Sequence, residues 1–127
     1  MPAKTVSPYG SWASPITADI IVAGGLSFSE IRVDGDDVYW LEGRSAEAGR
    51  SVVVRRSIDG EEWDQIPAGF NARTGVHEYG GGVYAVRSGT IYFANWEDQR
   101  IYRVAENASP QPLTSVPKVA RGDRYAD

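Results

Sequence analysis

The sequence contains no cysteine and a single histidine, His77. The first absence excludes disulfides, thiolate nucleophiles and thiolate metal sites, and is compatible with a reducing compartment. The second leaves one imidazole for any base or ligand role. No apolar run approaches the ~20 residues that cross a bilayer. Acids and bases are interspersed at a net charge of −4, without a basic stripe or polybasic block, which argues against nucleic acid and membrane partners. The opening MPAKTVSPYGSWASP lacks the apolar centre of a secretory signal, so the expected location is cytoplasmic.

What is present is apolar and aromatic. Of 127 residues 42% are hydrophobic, with four Trp and seven Tyr, enough for a packed core. Residues 1–29 read as an irregular N-terminal arm. Pro2, Pro8 and Pro15 break early helix, and Tyr9 and Trp12 need somewhere to dock. Within 16–23 Ser14 or Thr17 offers a helix cap while Ile20, Ile21 and Val22 favour an extended segment; of the two, a short helical turn is expected.

From Glu30 the pattern becomes that of short strands. Ile31–Val33 and Val38–Leu41 flank the turn residues Asp34-Gly35-Asp36-Asp37, a hairpin signal because Gly tolerates positive φ and Asp bonds its local backbone. Ser51–Arg56 and Trp63–Ile66 follow across Ile58-Asp59-Gly60-Glu61. A second set repeats this order: Gly82–Val86, Thr90–Ala94 across Ser88-Gly89, Gln99–Val104 and Gln111–Thr114. Val38-Tyr39-Trp40 and Ile91-Tyr92-Phe93 align at an offset of about 50 residues, the period of propeller blades. Their apolar residues are consecutive rather than alternating, so both sheet faces need cover, as radially stacked blades provide. The expected fold is all-β, an incomplete β-propeller of about two four-stranded antiparallel blades behind an irregular arm. The expected boundaries are 30–70 and 71–116 for the blades and 117–127 for a linker towards a third. Two blades cannot close a ring, so the chain is expected to need more propeller or further copies of itself.

Several segments resemble the N-terminal propeller of the prolyl oligopeptidase (S9) family of serine peptidases, in its dipeptidyl-peptidase and acylaminoacyl-peptidase-like branch. They are Tyr9–Ile16, Val33–Arg44, Val76-His77-Glu78-Tyr79-Gly80-Gly81-Gly82, Thr90–Tyr102 with Asn95, Asp98, Gln99 and Arg100, and Arg124-Tyr125-Ala126-Asp127. Similar sequences usually carry Arg where Gly75 stands. The resemblance implies a propeller that caps an α/β-hydrolase domain and restricts which peptides reach its serine. On this reading the partners are the remaining blades and the hydrolase domain. The alternative is an independent binding or scaffold protein whose copies assemble.

The residues themselves supply no catalytic set. A Ser-His-acid triad in that fold places its serine in G-x-S-x-G, which is absent, so no catalytic residue is expected and the chain is not expected to be an enzyme by itself. Gly80–Gly82 satisfies neither phosphate-loop pattern and reads as a bulge or tight lead into a strand. Asp34, Asp36 and Asp37 fail the EF-hand pattern, so neither metal nor cofactor is expected. Trp63 is expected to pack between the blades. The remaining candidates are His77, Glu78 and Tyr79, as polar contacts for substrate in the intact parent; a structural role for His77 in a turn is the plainer reading.

Overall fold

The computed structural model describes residues 6–11 and 13–127; Trp12 lies outside the described residues. The capped turn expected near Ile16 is α1, Ala18–Val22: the Thr17 hydroxyl accepts from the Ile20 amide at 3.2 Å, satisfying one of the free N–H groups of a helix start. Tyr9 is fully exposed and docks on nothing described. None of the described helices is long and apolar enough to cross a membrane.

Eight strands follow: β1 Leu26–Asp34, β2 Asp37–Arg44, β3 Arg50–Arg56, β4 Glu62–Asp64, β5 Tyr84–Arg87, β6 Thr90–Ala94, β7 Ile101–Val104 and β8 Gln111–Pro112. They form two four-stranded sheets in the sequential orders β1-β2-β3-β4 and β5-β6-β7-β8, every described pairing antiparallel. This is the all-β, two-meander part of a propeller that the repeat implied.

Strand limits depart from expectation for local reasons. β1 starts at Leu26, earlier than the expected Glu30, because Leu26-Ser27-Phe28-Ser29 alternates and pairs with Arg44–Leu41. The register then slips between Ser29 and Arg32, with Glu30 at φ 50°, so a β-bulge lies where the strand was expected to begin. β7 starts at Ile101 and not Gln99, because Gln99 closes the preceding turn by donating its amide to Asn95 O at 2.8 Å. β4 ends at Asp64, and Ile66 leaves the sheet to become buried in the core.

The core lies between the sheets. Alternation places Tyr39, Leu41 and Val53 of the first sheet on one face, and Tyr84, Ile91, Phe93 and Val104 of the second on another, all in one buried cluster. Phe70, from the connection between the sheets, meets Phe93 and Tyr102 edge-on at 5.9 and 5.1 Å, an arrangement the ring quadrupoles favour. Val52, Val53 and Val54 are buried in succession, so the middle of the first sheet is covered on both faces. Its opposite face is open nearer the edge, where Leu26, Phe28, Val33 and Val38 remain 53, 61, 69 and 36% exposed.

Polar staples fix the angle between the sheets. The Asp34 carboxylate accepts from the Gly89 amide at 2.6 Å, and Arg55 pairs with both Asp37 and Glu106. The hairpin aspartates thus do tertiary work besides turning the chain. Trp63 lies on the inner face but is only half covered, with Arg55 over its ring at 5.7 Å, so it borders the interface without filling it.

Candidate functional site

One end of the sheets gathers the β2–β3 and β6–β7 connections, the long segment from β4 to β5, and the last residues of the chain. The segment holding the candidate residues is anchored there by buried polar groups. Gln99, fully buried, accepts from the Gly75 amide at 2.7 Å and donates to Trp96 O at 2.9 Å, so both ends of its amide are satisfied. Asn95, also buried, accepts from the Asn71 amide and donates to Asp98. Burial alone would raise the Asp98 carboxyl. Hydrogen bonds from the Tyr102 hydroxyl, the Arg100 amide and Asn95 outweigh it and hold the group below the ordinary carboxylate range.

On this base the 76–80 turn projects outward. Glu78 N–H donates to Gly75 O and Gly80 N–H to Val76 O at 2.8 Å. His77 and Glu78 both occupy the left-handed region, at φ 56° and 68°, which costs a non-glycine residue about 1 kcal/mol or more each. The result is a display of exposed side chains. His77 and Tyr79 stack ring on ring at 5.8 Å, and Tyr79 is 88% exposed. Among the described residues the His77 ring makes no hydrogen bond or ion pair. The structure therefore brings His77 and Tyr79 together at the surface, while Glu78 turns aside to accept from Arg124 at 2.8 Å.

The C-terminal residues complete the site, which sequence reasoning missed. Arg124 donates to Gly75 O at 2.7 Å, the Thr74 hydroxyl to Tyr125 O at 2.6 Å, and Asp127 and Gly82 exchange bonds through N–H, carbonyl and carboxylate. Gly80 needs its positive φ of 96°, but Gly81 and Gly82 serve another purpose than the expected backbone freedom. A Cβ on Gly81 would come within 2.9 Å of the Ala126 methyl, and one on Gly82 would strike the Asp127 carboxylate. These glycines let residues 126 and 127 pack closely against the loop. At Gly75 a Cβ would meet Gln99 Oε1 at 3.4 Å and the Arg124 and Trp96 side chains at 3.7 Å, ordinary van der Waals contact. No group of three or more His, Asp or Glu able to hold a metal occurs among the described residues.

A second depression lies beneath the same C-terminal residues. It is a cleft of about 90 Å³ lined by Val83, Tyr84, Tyr92, Phe93, Ile101 and Tyr125, too small for more than a few waters. Burial pushes the Tyr84 hydroxyl well above the ordinary tyrosine range, so it stays protonated and donates to Glu30 O at 2.6 Å. The larger groove, about 700 Å³ between β4 and residues 104–109, is bordered by Trp63, Ile66 and Glu106.

Two sequential four-stranded sheets, with this loop at one end, define a partial β-propeller, and the chain matches the N-terminal propeller region of prolyl oligopeptidase (S9) family serine peptidases. The solved structures it resembles include a puromycin hydrolase, at 38% identity and a TM-score of 0.83 over 98% of this chain. A Mycobacterium tuberculosis puromycin-hydrolyzing peptidase matches at 41% identity and 0.81 over 97%. A mutant of puromycin hydrolase complexed with PGG matches at 39% and 0.82 over 95%. This chain spans 20% of the length of each. No family model matches the sequence, and no curated protein does.

Proposed function

We propose that this chain is the noncatalytic propeller portion of an S9-type serine peptidase, of the dipeptidyl-peptidase and acylaminoacyl-peptidase-like branch, and gates peptides entering an α/β-hydrolase active site. The observation that carries this is the match of nearly the whole chain, at about two-fifths identity, to one fifth of two puromycin-hydrolysing enzymes. His77 and Tyr79, displayed on a strained and well-anchored turn, are the side chains this reading assigns to substrate contact. Glu78 is engaged by Arg124 and orients the turn. The same reading places the intact protein in the cytoplasm, which cell fractionation tests.

The test is a chimera in which this chain replaces the corresponding fifth of the M. tuberculosis enzyme. The chimera is expected to hydrolyse puromycin and short peptides and to discriminate against long ones. The isolated chain is expected to hydrolyse neither. Equal turnover of all peptide lengths, or puromycin hydrolysis by the isolated chain, would overturn the proposal. The exposed Leu26, Phe28, Val33 and Val38 face favours a second reading, in which copies of the chain assemble through their sheets. A discrete oligomer in light scattering would support that reading over the first.

A further inference from the structure

Trp96, in the turn after β6, carries two cations. Arg73 Cζ lies 4.4 Å and Arg121 Cζ 4.1 Å from its ring centroid. The guanidinium carbons are therefore no further apart than those two distances laid end to end, so two cations share one indole. Neither guanidinium makes an ion pair or hydrogen bond among the described residues. Arg44, Arg50, Arg55 and Arg124, by contrast, are all paired with carboxylates.

Stacking occupies the face of a guanidinium and leaves its N–H edges free in the plane. Two such edges held on one indole are pre-ordered donors, and the repulsion between the two cations falls when an anion binds beside them. The backbone that carries the ring is fixed: the Trp96 main-chain N–H donates to Asn71 O at 2.8 Å, and the Trp96 main-chain O accepts from buried Gln99. The neighbouring cation, Arg124, is already neutralised by Glu78, so the unspent charge is that of Arg73 and Arg121.

We propose that Arg73, Trp96 and Arg121 form a binding site for a carboxylate, either the C-terminus of a peptide or an acidic side chain. A planar carboxylate matches the guanidinium fork. The site stands on these contacts and does not depend on the peptidase assignment.

The test follows the indole N–H resonance of Trp96 in ¹⁵N-labelled full-length chain, identified with Trp96→Phe. Four probes are titrated: an N-acetylated dipeptide with a free C-terminus, its C-terminal amide, an amidated peptide with an internal Glu, and inorganic phosphate. Saturable shifts are expected from the free C-terminus or the internal Glu, and the tighter of the two identifies the source. The amide is expected to give none. Arg73→Gln and Arg121→Gln, checked for native spectral dispersion, should each weaken binding by about tenfold, with Arg→Lys at either position only partly restoring it. Equal shifts from acid and amide, tighter binding of phosphate, or unchanged affinity in both Gln variants would overturn the assignment.

Discussion

Asp98 shows how a single exposed-looking acid in the sequence becomes a structural group. Three donors converge on its carboxylate, and they hold it ionised below the ordinary carboxylate range. A carboxyl with a depressed folded pKa contributes stability that is fully present above its unfolded pKa, near 4, and is lost as pH falls through the folded value. Asp98→Asn should therefore cost about 1–2 kcal/mol at neutral pH. The variant's urea midpoint should also fall less than the parent's between pH 5 and about pH 3. A midpoint gap that is constant across that range would count against this role. Asn95, Asp98 and Gln99 were legible only as members of a motif. Their mutual bonds were not, because a turn with Gln99 at φ 57° leaves no signal in composition or spacing. Likewise Gly81 and Gly82 announce permissive backbone, whereas their use is room for Ala126 and Asp127. Gly82→Ala should accordingly loosen residues 124–127, seen as faster amide exchange at Asp127, with little change in sheet stability.

At the scale of the element, the hairpins were the most legible features, because turn chemistry and strand alternation agree. Ser88-Gly89, both at positive φ, joins β5 and β6 in the register the sequence implied. The bulge in β1 was hidden, since its effect depends on the other sheet. It directs Glu30 towards the other sheet, so that its carboxylate accepts from the Val83 amide at 3.0 Å, while Tyr84 donates to the Glu30 carbonyl. This is a two-point staple between β1 and β5. Glu30→Ala leaves the Val83 amide, a buried residue's donor, without its partner, and should cost about 1–3 kcal/mol by urea denaturation. Tyr84→Phe loses one neutral bond and should cost about 1 kcal/mol. Because the two share a strand junction, the double variant should cost less than the sum of the singles. Strict additivity would show that the bulge does not act as a unit.

For the whole molecule, the repeat in the sequence reported two sheets, and the consecutive apolar residues reported that each sheet needs cover. The cover is uneven. The facing sides of the sheets share one core, but the far side of the first sheet presents Leu26, Phe28, Val33 and Val38 to solvent. Apolar patches of this kind on a folded surface mark a contact yet to be made. Whether blades, a neighbouring domain or another copy make it, the patch contributes to association and little to the fold of the isolated chain. Phe28→Ser combined with Val33→Thr should thus leave the urea midpoint of the isolated chain almost unchanged. It should sharply reduce concentration-dependent association measured by light scattering. In the chimera with the puromycin-hydrolysing enzyme, the same pair of changes should lower thermal stability, since burying each side chain fully is worth roughly 1.5–3 kcal/mol. If instead the isolated chain is destabilised and its association is untouched, these residues belong to its own core and the far side of the first sheet is a finished surface.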